Sequence, residues 1–562
     1  MTPIPFARVM GRLRRQLRRG LGDEGGAVAA VFAVSCFALL TLLGATFDYT
    51  MMARLRTSLQ TASDGTALVL CKADPTLTQA ALNSLATTTL AGYMPTATAD
   101  APVVTGPPRM ISVNAHATYI PYFAKLIGVN SFPMSVAAQC SVGERYFEIA
   151  LVLDNSTSMD ASSGSTSKME ALRQAATDFV NFLYVSSNLT NYVKMSIVPF
   201  TAAVAVDPAT AATADWVDLG GQSAFHWQNV LGAPAAGFSN RLGIFAKLTG
   251  ARAAWAWAGC FESLPYPLNV QDGKPSPSNW DSYYVPMLAP DEAGNGGAVW
   301  HVETSTGTFQ GTANSYLNDA TSSSTCNTTP QDDLTRQGRA CKYVNPTGAT
   351  WTNSLGPNWM CRSRPLTRLT NDKNKLLSEI QLMQANGNTN IHEGFMWGWR
   401  TLSPNSVFGD GTSYADKTRV KIIVLMTDGM NTWTTNSLNS VVKSYYSAYG
   451  YYQNIDGTKP NGRLPPGNAN PANDTQARAA MDQLLREACR NASGPDPANP
   501  DPIIIYTVGL SVSSDPIDAN GLQLLRDCAG LQSRSFVANN ATSLIAAFRT
   551  IAGGIRELRL SH

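Results

Sequence analysis

Apolar residues along this chain follow three different rhythms, and each predicts a different kind of element. Gly25 to Phe47 is one apolar run of about 23 residues without a charge, long enough to cross a bilayer as a helix. Tyr49, Met52, Leu55, Leu59, Ala62 and Ala67 carry the helical pattern on to Lys72, and Leu77–Tyr93 predicts a second helix. From Arg109 to Val142 the pattern reads strand, short helix (Tyr122–Ile127), strand (Phe132–Val142), and the two strands can pair against the long helix. Beyond residue 145 short continuous apolar runs appear, the pattern of strands buried on both faces. They are Ile149–Leu153, Val193–Val204, Val420–Thr427 and Ile503–Leu510, with a shorter one at Ser535–Val537. Helical spacing alternates with them at Lys168–Leu183, Asp372–Gln384 (N-cap expected at Asn371), Ile391–Thr401, Thr475–Asn491, Gly521–Cys528 and Ala541–Leu558. This alternation predicts a doubly wound α/β sheet.

Two insertions interrupt it. Residues 206–365 hold eight of the eleven tryptophans and four cysteines, and that aromatic content predicts folded material. Thr304–Arg339 within it is polar enough to be a surface loop. The second insertion, 431–474, leaves from the strand that ends in Asp428. Its Trp433, Tyr445, Tyr446, Tyr449, Tyr451 and Tyr452 form either a contact surface or the packed base of the loop itself.

At 562 residues two or three domains are expected. The expected divisions are a basic segment 1–24, a transmembrane helix 25–47, a helix with a small α+β module 48–144, and an α/β domain 145–558. A formal net charge of +2 argues against bulk nucleic-acid binding. Arg8, Arg12, Arg14, Arg15, Arg18 and Arg19 precede the apolar run, which places the N-terminus in the cytoplasm and the bulk of the chain outside the inner membrane. A cleavable signal peptide would have a shorter apolar core, so an uncleaved single-pass anchor is expected. Cys36 lies in the span; the other eight of nine cysteines suit a disulfide-permissive compartment, the periplasm or beyond. Cys71–Cys140 and Cys489–Cys528 are plausible bridges within single modules, whereas the pairing of Cys260, Cys326, Cys341 and Cys361 stays open. No C-x-x-C pair marks a zinc site.

Candidate chemistry gathers at strand ends. The run through Leu153 stops at Asp154-Asn155-Ser156-Thr157-Ser158, one carboxylate with two alternate hydroxyls. Open α/β sheets bind ligands outside the carboxyl ends of their strands, and carboxylate plus hydroxyl suits a hard cation. The same pentapeptide alone also fits a helix N-cap. Thr389, in Asn386-Gly387-Asn388-Thr389-Asn390, reads alone as a turn or cap residue, and Asp428-Gly429 as a turn after a strand. His392 has no second His or Cys at ligand spacing, which favours a structural role.

The D-x-S-x-S of Asp154, Ser156 and Ser158, followed in order by Thr389 and Asp428, resembles the metal-ion-dependent adhesion site of von Willebrand factor A (VWA) domains. The resemblance implies a Rossmann-like VWA fold with large insertions and a Mg²⁺ ion (or Mn²⁺ or Ca²⁺) held by those five residues. A coordination position would be left for a carboxylate offered by a protein partner. The membrane helix, Asp48, and Leu59-Gln60-Thr61-Ala62-Ser63-Asp64-Gly65-Thr66-Ala67-Leu68 resemble the N-terminal region of TadG-like proteins of Flp (Tad) pilus assembly. That resemblance implies a membrane-anchored envelope protein of pilus assembly or adhesion, possessing a partner among the assembly components. Related pilin-like members carry a glutamate shortly after a processing glycine; no acid lies between Gly25 and Phe47, so prepilin-peptidase processing is not expected. Alternatives are an envelope protein whose metal site only ties loops together, or a metal-dependent phosphohydrolase. The D-N-S-T-S loop offers no base beside Asp154, and neither a G-x-x-x-x-G-K-[ST] loop nor a G-x-S-x-G elbow occurs, so an enzyme is not expected.

Overall fold

A single 49-residue helix, α1 (Glu24–Lys72), carries the apolar run and its continuation without a break. The computed structural model describes residues 24–73, 77–106, 109–142, 145–163, 166–184, 192–293, 314–317, 326, 332–346, 356–437, 439, 441–458, 462–494 and 503–558. The basic N-terminal segment and most of Thr304–Arg339 lie outside the described residues. The chain divides into two units, one ahead of Arg145 and one from Arg145 to Leu558.

In the first unit the front of α1 stays uncovered: Val31, Phe32, Leu39, Leu40, Leu42 and Leu43 are exposed, and Val28 onward is long and apolar enough to cross a membrane. Its later turns are covered. Leu59, Ala62, Ala67 and Leu70 fall on one side of the helix and pack on Ile111, Val113 and Ala115. Those last three belong to β3 (Arg109–Tyr119), which pairs antiparallel with β4 (Phe132–Val142) along its whole length. Two short strands the hydrophobic pattern did not reveal, β1 (Thr98–Ala99) and β2 (Val103–Thr105), also pair with β3. Helix α2 (Gln79–Tyr93) adds Leu82, Ala86 and Leu90 to the core, and Cys71–Cys140 closes it covalently.

The second unit is built on a six-stranded sheet in the order β10-β9-β8-β5-β6-β7. Its strands are β5 (Tyr146–Asp154), β6 (Val193–Phe200), β7 (Thr367–Thr370), β8 (Arg419–Thr427), β9 (Ile503–Leu510) and β10 (Ser535–Ala538). All neighbours are parallel except β7, which runs antiparallel on the edge. Both faces are covered, as the continuous apolar runs require. Ile149, Leu151 and Leu153 of β5 face α3 (Lys168–Leu183), α5 (Lys373–Gln381) and α9 (Ala541–Leu558). The alternate Ala150 and Val152 face α6 (Ile391–Leu402), α7 (Asp474–Ser493) and α8 (Ala519–Ala529). Helix α6 lies so close that a Cβ on Gly394 or Gly398 would come within 2.5 Å of Phe200 or 2.4 Å of Val152. Cys489–Cys528 joins α7 to α8.

Several expectations change. The N-cap of α5 is Asp372, not Asn371: its carboxylate accepts the Lys375 N–H, because β7 runs to Thr370 and delays the helix. Strand β6 ends at Phe200 rather than Val204, and the chain turns there. Within Thr304–Arg339, Asn314, Tyr316 and Leu317 are buried rather than in a surface loop, whereas Asp332–Thr335 are exposed at the start of a short helix. Nor is the second insertion an aromatic contact surface. Trp433, Tyr446, Tyr449, Tyr451 and Tyr452 are all buried, and only Tyr445 is partly open. Burial works because the phenols find partners: Tyr452 donates to the Trp433 carbonyl at 2.6 Å, and Tyr451 to Glu292 at 3.2 Å. Tyr446 donates to Glu262, which is also paired with Arg241 and Arg463. Burial alone would raise the Glu262 pKa, but the two guanidiniums hold it below the ordinary range. Glu262 belongs to the first insertion, where Arg241 opens an eleven-residue helix, α4 (Arg241–Ala251), and Arg463 belongs to the second, so the two insertions share one buried ionic centre. Cys260–Cys361 and Cys326–Cys341 settle the central pairing.

Candidate metal centre

Strands β5 and β8 lie side by side and parallel, with Leu153 opposite Met426, so Asp154 and Asp428 reach the same rim of the sheet. The loop after β5 is pinned from two sides. The Asn155 N–H donates to the Phe200 carbonyl at 2.8 Å, and the Asn386 N–H to the Asn155 carbonyl at 2.7 Å. Thr157 gives both its N–H (2.9 Å) and its hydroxyl (3.1 Å) to the Gly387 carbonyl, tying this loop to the one that carries Thr389. Thr389 is fixed in turn by Thr432: its N–H donates to the Thr432 hydroxyl, and the Thr432 N–H to its carbonyl, each at 2.9 Å.

The side chains converge. Asp154 accepts the Ser156 N–H at 2.8 Å on one oxygen and the Thr427 hydroxyl at 2.6 Å on the other. Ser156 Oγ lies 2.9 Å from Ser158 Oγ, and Ser158 donates to Asp428 Oδ1 at 2.8 Å. Gly429 leaves the space open between the remaining oxygens: a Cβ there would sit 3.8 Å from Thr389 Oγ1 and 3.9 Å from Ser158 Oγ. All five sequence-derived residues therefore meet at one rim, and among the described residues the Thr389 hydroxyl takes no hydrogen bond, although the residue as a whole is buried. Asn390, next in the chain, caps α6 through the Glu393 N–H, so cap and site roles fall to neighbouring residues.

The electrostatics are unbalanced. Burial, and then the charge of Asp428 beside it, push the Asp154 pKa up to about 7. Burial raises Asp428 as well, against the pull of Lys168. Two buried carboxylates with neutral hydroxyls between them are oxygens of the kind a small dication takes. No described group of three or more His, Cys, Asp or Glu offers a rival metal cluster.

Lys168 was missed by the sequence reading. Its ammonium, fully buried, lies 2.7 Å from Asp428 Oδ2 and 2.7 Å from Asp515 Oδ2. Burial disfavours its charge, but the two carboxylates outweigh that and raise its pKa. One signal was available: a cation in the first turn of a helix opposes the macrodipole and needs a local reason. His392 is structural, as expected. Its Nε2 lies 2.8 Å from the Asn269 carbonyl and its Nδ1 2.8 Å from the Tyr449 hydroxyl. Burial pushes its pKa down to about 4, which keeps it neutral.

Comparison with known proteins is informative only for α1. Residues 26–69 match the family of putative Flp pilus-assembly TadE/G-like proteins. No curated protein matches the chain. Among solved structures, a D319A mutant of the PilB minor pilin from Streptococcus sanguinis is similar over 83% of this chain and 80% of that one, at 12% identity and a TM-score of 0.32. The vWF domain of the type V pili tip protein Mfa5 from Porphyromonas gingivalis is similar over 75% of this chain and 97% of its own, at 11% identity and 0.30. The pilus adhesin RrgA from Streptococcus pneumoniae is similar over 81% and 49%, at 10% identity and 0.33. Likenesses that low carry no inference about fold or activity.

Proposed function

We propose that the chain is a membrane-anchored envelope protein of Flp/Tad pilus assembly or adhesion. In this reading its second unit is a doubly wound VWA domain that binds a protein partner through a divalent cation. The family match over residues 26–69 and the apolar helix support the pilus and membrane parts. The observation that carries the rest is the convergence of Asp154, Ser156, Ser158, Thr389 and Asp428, from three separated segments, on one rim of a parallel sheet. Those residues would hold Mg²⁺, Mn²⁺ or Ca²⁺, and a bound cation would supply an open position to an incoming carboxylate. The protein's own part is to hold the oxygens in place: Asn155, Thr157 and Thr432 fix the two loops, and Lys168 limits how much negative charge the site presents.

A second reading keeps the same site but gives it a purely structural role. Lys168 favours it, because an internal ammonium already bridges Asp428 and Asp515 and ties their loops together. Crosslinking in intact envelopes, with and without chelator, separates the two. Adhesion through the cation predicts that prior chelation or Asp154→Ala abolishes crosslinking to the partner while the domain stays folded. A structural site predicts that chelation lowers the melting temperature and leaves partner capture unchanged for as long as the domain stays folded. If neither treatment changes partner capture or melting, no cation works at this rim.

A further inference from the structure

We propose that the turn Ile120–Ile127 of the first unit is a second membrane contact, seated in the outer-leaflet lipid beside the helix that crosses it. The proposal rests on the reading of α1 as a membrane anchor. The turn follows β3 and contains a short 3₁₀ helix, Ala124–Ile127. It places large apolar side chains outward: Ile120, Tyr122 and Phe123 are exposed, and Leu126 and Ile127 reach 83% and 72% exposure. Five such residues in one short turn are not the surface of a water-soluble loop.

Its position identifies the occupant. The turn does not project away from α1 but folds back along it. A Cβ on Gly44 would come 2.6 Å from the Phe123 ring, and Phe47 meets Tyr122 and Phe123 edge-on at 6.0 and 5.8 Å. An apolar groove runs between them, lined by Phe37, Leu40, Ala45, Phe123, Leu126 and Ile127. Phe37 is eleven residues before Asp48, about 16 Å along a helix axis, and half a hydrocarbon core is about 15 Å. The groove thus follows the outer half of the span, and its apolar rim is continuous with the span's own lipid-facing surface. Tyr49, next to Asp48, and Tyr122 and Lys125 in the turn are exposed, residue types that place an apolar body in lipid and a polar tip at the headgroups.

The backbone chemistry suits the same setting. Lipid tolerates irregular backbone only where its polar groups are satisfied. Asp48 takes the N–H groups of Tyr122 (2.8 Å), Phe123 (2.9 Å) and Ala124 (2.7 Å), and the Tyr119 hydroxyl at 3.0 Å. The N–H groups of Leu126, Gly128 and Val129 donate to carbonyls within the turn. Asp48 is therefore the tether that holds the turn against the membrane helix.

The test uses the full chain with Cys36→Ser, the other eight cysteines being in disulfides. Leu126→Cys is labelled with a nitroxide and the protein is reconstituted in phosphatidylethanolamine/phosphatidylglycerol vesicles. Collisions with molecular oxygen, which enters lipid, are compared with those of a water-soluble nickel chelate. Oxygen should exceed nickel several-fold at position 126, and adding Asp48→Asn should reverse that ratio. Free access of nickel at position 126 overturns the proposal, as does access by neither, which would mean that protein covers the turn. An unchanged ratio with Asp48→Asn removes Asp48 as the tether. A label at Leu39→Cys reads the span itself: nickel access there would mean that the anchor reading has failed, not merely the turn.

Discussion

Each unit buries an aspartate where an apolar segment ends, yet the two surroundings are opposite in kind. Asp48 is surrounded by donors: three N–H groups and a hydroxyl converge on its two oxygens. Asp154 has two donors and then a second carboxylate, Asp428, as its neighbour across the rim. A buried charge with its hydrogen bonds complete organises the chain around it. One held beside a like charge is under a penalty that a proton, a neighbouring ammonium or a bound cation can relieve. The contrast separates an acid whose charge is satisfied where it stands from one whose charge is opposed by its neighbour, although little of either residue's surface is exposed.

Substitutions can break this contrast from either side. Asp48→Ala should have the largest effect. It leaves three N–H groups and a hydroxyl without their charged acceptor, so the turn should lose its hold on α1. Hydrogen exchange at the Tyr122, Phe123 and Ala124 amides would report it, and unchanged protection there would refute the tether. Lys168→Met comes next. It strands Asp428 next to Asp154, and breaking one partner of a buried pair typically costs about 3 kcal/mol or more. Melting measured in chelator should fall, and millimolar Mg²⁺ should restore most of the loss. A loss that Mg²⁺ does not repair would mean that Lys168 is structural and the rim has no cation to recruit.

Asp154→Asn should change sign. Removing one of two facing carboxylates relieves their repulsion, so without cation the domain should gain about 1–2 kcal/mol. The melting shift produced by Mg²⁺ should disappear at the same time. The same kind of substitution then destabilises at position 48 and stabilises at position 154, which no account based on burial alone would give.

How much of this could be read beforehand depends on how far apart in the chain the partners lie. Helices α3 and α9 and strand β9 fall at their expected limits, because amphipathic spacing or a continuous apolar run is a local property. Strand β7 was invisible: four residues, Thr-Arg-Leu-Thr, give no period, and only pairing with β6 makes them a strand. The tyrosines of the second insertion were ambiguous for the same reason. Their partners, Glu262 and Glu292, lie 184 and 159 residues away, so composition revealed amphipathic aromatics but not that they would be buried. The five rim residues stood out only through their resemblance, taken in order, to a metal-ion-dependent adhesion site, since each piece alone reads as a cap or a turn. Lys168 did not, since its contacts with Asp428 and Asp515 span 260 and 347 residues.

Thr389→Ala should have the smallest effect on the empty domain and the most specific effect on the loaded one. The Thr389 backbone is held by Thr432 through main-chain groups that alanine retains, and its hydroxyl takes no hydrogen bond among the described residues. Stability in chelator should therefore move by less than about 0.5 kcal/mol, the range of substitutions that break nothing. If that oxygen is a ligand, losing it should weaken Mg²⁺ by roughly tenfold, about 1.4 kcal/mol, visible as a displaced midpoint when melting is titrated with the ion. An Mg²⁺ midpoint identical to that of the unaltered protein would remove Thr389 from the site. It would leave Asp154, Ser156, Ser158 and Asp428 as a smaller cluster that the hydrogen bonds among them, with Lys168, could account for without a cation.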